Sequence, residues 1–263
     1  MNPNDIPSSE RQAVSPRDLV EGVGKTIQVI EAFDDDHVRL TTSELAKRTG
    51  LTRPAARRYL LSLCHYGYAD TDGKQFWLLP RVMRLGQSYL SSARLPRLVQ
   101  PVIQRASVQS GETVSFSVLD GHDIVYLARS TSNASASIGF QVGLRMPAHV
   151  VAPGIALLST LSDELLDEWI ATHVFHKFTE KTVTDPVLFR SMVIDARQRD
   201  YWVGEQQGSM GLFGIAVVAK DTRGVCKGAV GMTLQIKKYT PESVEKHLTP
   251  ILREAALSLR SLL

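Results

Sequence analysis

The feature that most constrains this chain is a six-residue junction, Thr49-Gly50-Leu51-Thr52-Arg53-Pro54. Glycine accepts the left-handed backbone that ends a helix. A threonine two residues later is a good N-cap, and proline in the first turn of the next helix gives up only an amide that had no partner there. One helix therefore stops and another starts within a few residues, so the two must cross at a tight turn. Upstream, Thr41 or Thr42 caps a short helix over residues 43–48 with Leu45 and Ala46 inward. Downstream, a helix from Arg53 to about residue 66 turns Ala56, Leu60, Leu63 and Cys64 inward and crowds Arg53, Arg57 and Arg58 on the outer side of its first turns. An earlier helix is expected over residues 21–33, where Val23, Ile27, Ile30 and Phe33 recur at helical spacing before Asp34-Asp35-Asp36. After Gly67, strand-like residues 68–71 and 74–79 flank Asp72-Gly73, a tight-hairpin signal. Helix, helix-turn-helix and hairpin in this order predict a winged helix-turn-helix.

Charge follows the same outline. The chain carries a net +3, yet residues 47–94 hold nine basic side chains against two acidic ones, a local +7 that leaves the remainder at −4. Such a separation points one segment at a polyanion. The second helix of a helix-turn-helix presents its N-terminal residues to base edges and phosphates in the major groove, where arginine grips guanine or phosphate with two parallel hydrogen bonds. The expected DNA-reading set is Thr42, Thr52, Arg53, Ala55, Arg57 and Arg58, with Lys74 on the wing, and the expected partner is a double-stranded DNA operator.

The rest of the chain reads as a second domain. Residues 1–17 have no periodic apolar pattern and are expected to be a disordered tail. Residues 18–80 form the winged helix-turn-helix, 81–95 a linker helix, and 96–263 an effector-binding and oligomerisation domain entered past Pro96 and Pro101. Strands are expected at 113–119, 124–128 and 136–142, and helices at 152–160, 162–173 and 186–199. A hairpin over 215–220 and 225–235 turns at Asp221-Thr222-Arg223-Gly224, and one long amphipathic helix closes the chain over 241–263. The fold class is α+β: the winged helix-turn-helix followed by an antiparallel sheet flanked by helices.

The sequence resembles the IclR-type bacterial regulators from about residue 20 to the C-terminus. The N-terminal carriers are Leu40-Thr41-Thr42-Ser43-Glu44-Leu45-Ala46-Lys47-Arg48-Thr49-Gly50-Leu51, then Ala56-Arg57-Arg58-Tyr59-Leu60-Leu61-Ser62-Leu63, Gly67-Tyr68, Leu79-Pro80-Arg81-Val82 and Leu85-Gly86. The C-terminal carriers are Val118-Leu119-Asp120-Gly121, Ile124-Val125-Tyr126-Leu127-Ala128-Arg129, Gly143-Leu144-Arg145-Met146-Pro147-Ala148-His149, Gly154 with Ala156-Leu157-Leu158, and Gly211-Leu212 with Ile215-Ala216-Val217. Residues 52–58 are similar to the branch that controls aromatic-acid catabolism, such as regulators of protocatechuate and hydroxybenzoate genes. The resemblance implies a GAF-like effector-binding domain whose pocket is lined by Met146, His149, Ala152, Pro153, Gly154, Glu205, Phe213, Gly214, Gly231 and Thr233. It departs from the family at Ile155, where a basic residue is usual, at Gly214, where a small polar one is usual, and at Val218 in place of proline.

A helix start near Pro153-Gly154 offers backbone amides to a carboxylate, so an organic acid is the expected effector. Small residues at Gly214 and Gly231 leave room for an aromatic acid, with Phe213 as a stacking face; the alternative is that these glycines only relieve strand packing. The expected assembly is a homodimer or dimer of dimers, RNA polymerase is a further candidate partner, and no cofactor, metal or catalytic residue is expected.

Other readings fall away or stay second. Gly22-Val23-Gly24-Lys25-Thr26 mimics the end of a phosphate-binding loop, but the required first glycine falls on Leu19. His173, His176 and Glu180 form a thin ligand set, better read as surface histidines. Cys64 and Cys226 fit buried small hydrophobes in a reducing compartment. With no apolar run near the roughly 18 residues of a membrane span and no signal-peptide layout, the expected location is the cytoplasm. The alternatives to an effector-controlled regulator are a constitutive DNA-binding protein whose second domain only oligomerises, and an enzyme with an appended DNA-binding module.

Overall fold

The computed structural model describes residues 15–131 and 141–263, and the chain divides into two compact units, residues 1–88 and 89–263. Residues 1–14 of the expected tail and 136–140 of the strand expected at 136–142 lie outside the described residues, and residues 141–142 are not in a strand.

In the first unit a 3-10 turn at Pro16–Asp18 precedes α1 (Glu21–Glu31), β1 (Leu40–Thr41), α2 (Thr42–Thr49) and α3 (Arg53–His65). The hairpin strands β2 (Ala69–Thr71) and β3 (Gln75–Leu78) follow, and β3 is central, with β1 pairing on its other edge. Thr41 is the N-cap of α2: its hydroxyl accepts from the Glu44 amide at 3.3 Å while the Glu44 carboxylate accepts from the Thr41 amide at 2.7 Å. This reciprocal capping box satisfies two helix-end donors at once. Gly50 ends α2 at φ +68°, and Thr52 caps α3 through the Ala55 amide. Leu40, Leu45, Ala56, Leu60, Leu63 and Phe76 make the core, with Cys64 at its margin.

The expected inward stripe of α1 is only half realised. Val23 and Ile27 are exposed, and the helix enters the core through Val29 with Ala32 just beyond its end, Ile30 and Phe33 packing partly. Helical spacing identifies the helix but not which of two adjacent apolar stripes meets its neighbours. On the same helix Lys25 pairs with Glu21 at 2.6 Å and the Thr26 hydroxyl donates to the Gly22 carbonyl, so the phosphate-loop mimic spends its polar groups inside the helix.

A 3-10 turn at Pro80–Val82 leads into α4 (Met83–Ser92), within which the two units divide. The second unit continues through α5 (Leu95–Ser110), β4 (Val114–Asp120), β5 (Asp123–Ser130), β6 (Arg145–Pro147), α6 (Ala152–Leu158), α7 (Asp163–Thr172), α8 (Pro186–Arg199), β7 (Tyr201–Glu205), β8 (Leu212–Lys220) and β9 (Cys226–Gln235). It closes with α9 (Pro241–Ser243), a π-helical turn at Val244–Leu248 and α10 (Thr249–Leu259).

Two features correct the sequence-based expectation. Pro101 does not punctuate the entry but lies inside α5, where burial of Val99, Val102, Ile103 and Ala106 outweighs the lost helix bond. The single closing helix is interrupted because Pro250, near the start of α10, cannot donate to the preceding turn, and the backbone widens there.

The six strands are antiparallel in the order β6-β5-β4-β9-β8-β7. One face packs Val114, Phe116, Phe213, Ile215, Val230 and Met232 against α5 and α10. The other packs Ile124, Tyr126 and Ala229 against Ile155 and Leu158 of α6, Trp169 of α7, and Phe189 and Val193 of α8. Gly154 and Gly214 decide how close α6 comes. A Cβ on Gly154 would fall on the backbone of Ala148, and one on Gly214 would reach the Ala152 Cβ at 3.0 Å.

Candidate functional site

On the winged helix-turn-helix, the cap at Thr52 aims the N-terminal turns of α3 outward. Arg53, Arg57 and Arg58 are exposed, and their guanidinium groups have no hydrogen-bond or ion-pair partner among the described residues; Lys74 at the wing tip is likewise exposed. Thr42 opens α2 half-buried and Ala55 is half-buried in the first turn of α3. The wing turn is held by Asp72, whose carboxylate accepts from the Lys74 and Gln75 amides at 2.9 and 2.7 Å; these bonds hold its carboxyl below the usual range. Two members of the basic segment are structural instead. Arg48 bonds the Ala32 carbonyl and the Asp34 carboxylate, and Arg81 donates to the Tyr66 carbonyl at 2.7 Å.

The second unit encloses a narrow cavity of about 50 Å³ between the start of α6, the segment 204–209 and the sheet. Of the ten residues expected there, Met146, His149, Ala152, Pro153, Phe213, Gly214 and Thr233 line it together. Gly154, Glu205 and Gly231 do not. Gly154 packs on Ala148, and Gly231 faces Pro153, where a Cβ would meet the ring at 3.1 Å. Glu205 alternates to the other side of β7 and binds Lys181 at 2.9 Å, which together with the Gln206 amide lowers its pKa. Phe213 borders the cavity, but its ring belongs to the core on the opposite face, because Gly214 is the strand neighbour that faces α6. The aromatic walls are instead Tyr126 and Trp202, residues that no local pattern distinguished from ordinary core positions.

The helix start is a poor anion cradle. α6 has seven residues, Pro153 lacks an amide, and the Gly154 amide already donates to the Val151 carbonyl at 3.0 Å. Polar groups come from elsewhere: the Ser209 and Thr233 hydroxyls line the cavity with no hydrogen-bond partner among the described residues.

His149 is wholly buried at the cavity wall and both ring nitrogens are engaged, Nε2 with the His176 carbonyl at 3.0 Å and Nδ1 with His173 Nε2 at 2.9 Å. His173 is not the surface residue expected. It stacks on Trp169 at 4.3 Å and lies 5.0 Å from His122. Burial lowers the pKa of His149; burial, then the neighbouring histidines, push that of His173 down to about 4. No group of residues able to hold a metal occurs among the described residues.

Comparison with known proteins decides the family. Residues 22–73 match the IclR helix-turn-helix domain, and residues 87–261 match the bacterial transcriptional regulator IclR C-terminal domain. The chain belongs to the IclR family. As an IclR regulator it binds DNA through its winged helix-turn-helix and carries the family's C-terminal domain. It is 37% identical over 256 residues to the p-hydroxybenzoate hydroxylase transcriptional activator of Acinetobacter baylyi, covering 95% of this chain and 94% of that protein. The inducer-binding domain of the PobR transcription factor from Acinetobacter, a double mutant in complex with 3-hydroxybenzoic acid, superposes with a TM-score of 0.61 at 31% identity, covering 65% of this chain and all (100%) of that one. An IclR homolog from Microbacterium hydrocarbonoxydans complexed with 4-hydroxybenzoate shares the fold at a TM-score of 0.68 and 24% identity, covering 90% and 97%. No helix of the described residues is long and apolar enough to cross a membrane.

Proposed function

We propose that this IclR regulator is controlled by an aromatic acid of the hydroxybenzoate class bound in the cavity beside α6. The observation that carries this reading is a slot walled by the Tyr126 and Trp202 rings with free hydroxyls at Ser209 and Thr233. Flat aromatic walls favour a ring, and the hydroxyls offer hydrogen bonds to a phenolic group. Two relatives are structures with 3- and 4-hydroxybenzoate bound, which supports the class.

In this reading residues 18–80 bind the operator through Thr42, Thr52, Arg53, Ala55, Arg57, Arg58 and Lys74, 81–95 form the linker helix, and 96–263 bind effector and oligomerise. The protein acts in the cytoplasm as a homodimer or dimer of dimers, with no catalytic step of its own and with RNA polymerase as a further contact. Effector binding shifts the population of arrangements of two winged helices and so changes operator affinity or polymerase contact.

Two measurements test this. Operator affinity, followed by fluorescence anisotropy, should change when 4-hydroxybenzoate is added, and sedimentation should show a dimer or larger species at the operator. Full operator binding by a strict monomer would overturn the population-shift mechanism, and an affinity and melting temperature indifferent to every aromatic acid tried would leave the constitutive reading in its place.

A further inference from the structure

Among the described residues the cavity lining has no cation to meet an acid. Neither Lys nor Arg lines it, and His149 has both ring nitrogens occupied and a lowered pKa. Arg129 on β5 stands opposite Ser115 on β4, and directly opposed residues share a face. Ser115 in turn lies opposite Gly231 on β9, the position covered by Pro153 of α6. Arg129 is therefore on the cavity side of the sheet. A register shift at Phe116/Ser117 leaves Leu127 as an extra residue, which keeps Tyr126 in the cavity wall and Arg129 on one face.

Among the described residues the Arg129 Nε and Nη2, closed off from solvent, have no hydrogen-bond partner, and neither does the hydroxyl of Ser117, a wholly buried residue opposite Tyr126 on that face. Nε and Nη2 share one edge of the guanidinium, the edge that meets both oxygens of a carboxylate side-on. Burying charged donors without acceptors is costly. The chain offers no Asp or Glu between Asp123 and Asp163 to complete them.

We propose that Arg129, with the Ser117 hydroxyl diagonal to it, forms the carboxylate subsite of the effector, the ring lying in the cavity past Tyr126. The ligand class is thus a monocarboxylate rather than a neutral phenol. This rests on the effector-controlled reading above, and the test separates the two. Calorimetric titration of the full-length protein with 4-hydroxybenzoate and with neutral 4-hydroxybenzamide compares wild type, Arg129→Gln and Ser117→Ala. Wild type is expected to prefer the acid, and Arg129→Gln to lose on the order of 100-fold in acid affinity while amide binding stays put. A folded Arg129→Gln variant, judged by its melting curve, that keeps the acid affinity and the acid-over-amide preference overturns the Arg129 assignment alone. Should that variant not fold, Ser117→Ala decides: a loss confined to the acid supports the subsite, and an equal loss for both ligands, or none, overturns it. Wild type that binds neither 4-hydroxybenzoate nor 3-hydroxybenzoate overturns the effector reading and the subsite with it.

Discussion

Among the described residues, Arg53, Arg57 and Arg58 on the helix-turn-helix stand in water without partners, whereas in the second unit Arg129 holds two guanidinium nitrogens out of water without partners. The difference is one of solvent. Exposed cations cost nothing while unpaired, and they suit a polyanion whose binding releases counterions and tolerates small shifts in position. A desolvated guanidinium edge suits one ligand of one shape, because only a stoichiometric acceptor removes its penalty. In the proposed reading the first unit therefore works by displayed charge on a small core, the second by interior fit.

That contrast can be broken at several points. The largest effect is expected from Gly154→Val, which drives a side chain into the Ala148 backbone. It should destabilise the second unit by roughly 3 kcal/mol or more. Calorimetry should show the second unit's transition lowered and the first unit's kept, and an unchanged thermogram would refute the packing role of this glycine. Next, Arg57→Ala should weaken operator binding by about 1–3 kcal/mol with no change in melting temperature. A salt titration checks it: if Arg57 meets phosphate, the slope of log affinity against log salt falls by about one. Stability lost together with affinity would mean that Arg57 is not merely displayed.

Removing the capping box with Thr41→Ala should cost about 1 kcal/mol in the first unit, read from chemical denaturation, and weaken DNA binding only as far as unfolding does. The last test is a pH dependence of the second unit. The folded pKa of His173 lies near 4, below its ordinary 6.5, so the unfolded chain takes up the proton first. Stability should fall as pH drops from about 6.5 towards about 4 and level off below, and His173→Asn should flatten that part of the melting-temperature profile. A profile identical to wild type would place the acid sensitivity elsewhere.

What was legible in advance follows the same divide. Caps, turn glycines and Asp72-Gly73 act through residues within four positions of one another, so α2, the turn, α3 and the wing could be read directly. The two-residue strand β1 has no such signal, since only its pairing with β3 makes it a strand. In the second unit seven of the expected lining residues do border one cavity, yet Phe213 turns its ring to the other core and Glu205 pairs with Lys181. Strand parity would have put Phe213 and Gly214 on opposite faces, but which face the cavity occupies depends on where α6 packs.

From its residues alone, then, this chain determined a winged helix-turn-helix with its charge at one helix end and an α+β partner unit of antiparallel strands. Local hydrogen bonding and apolar periodicity suffice for that. Only the tertiary structure decided which face of the sheet holds the cavity, that Tyr126 and Trp202 are among its walls, and that the Nε–Nη2 edge of Arg129 is shut off from solvent without an acceptor among the described residues. Those outcomes depend on the register of strands far apart in sequence and on how closely α6 approaches them across Gly154 and Gly214, distances that no local pattern encodes.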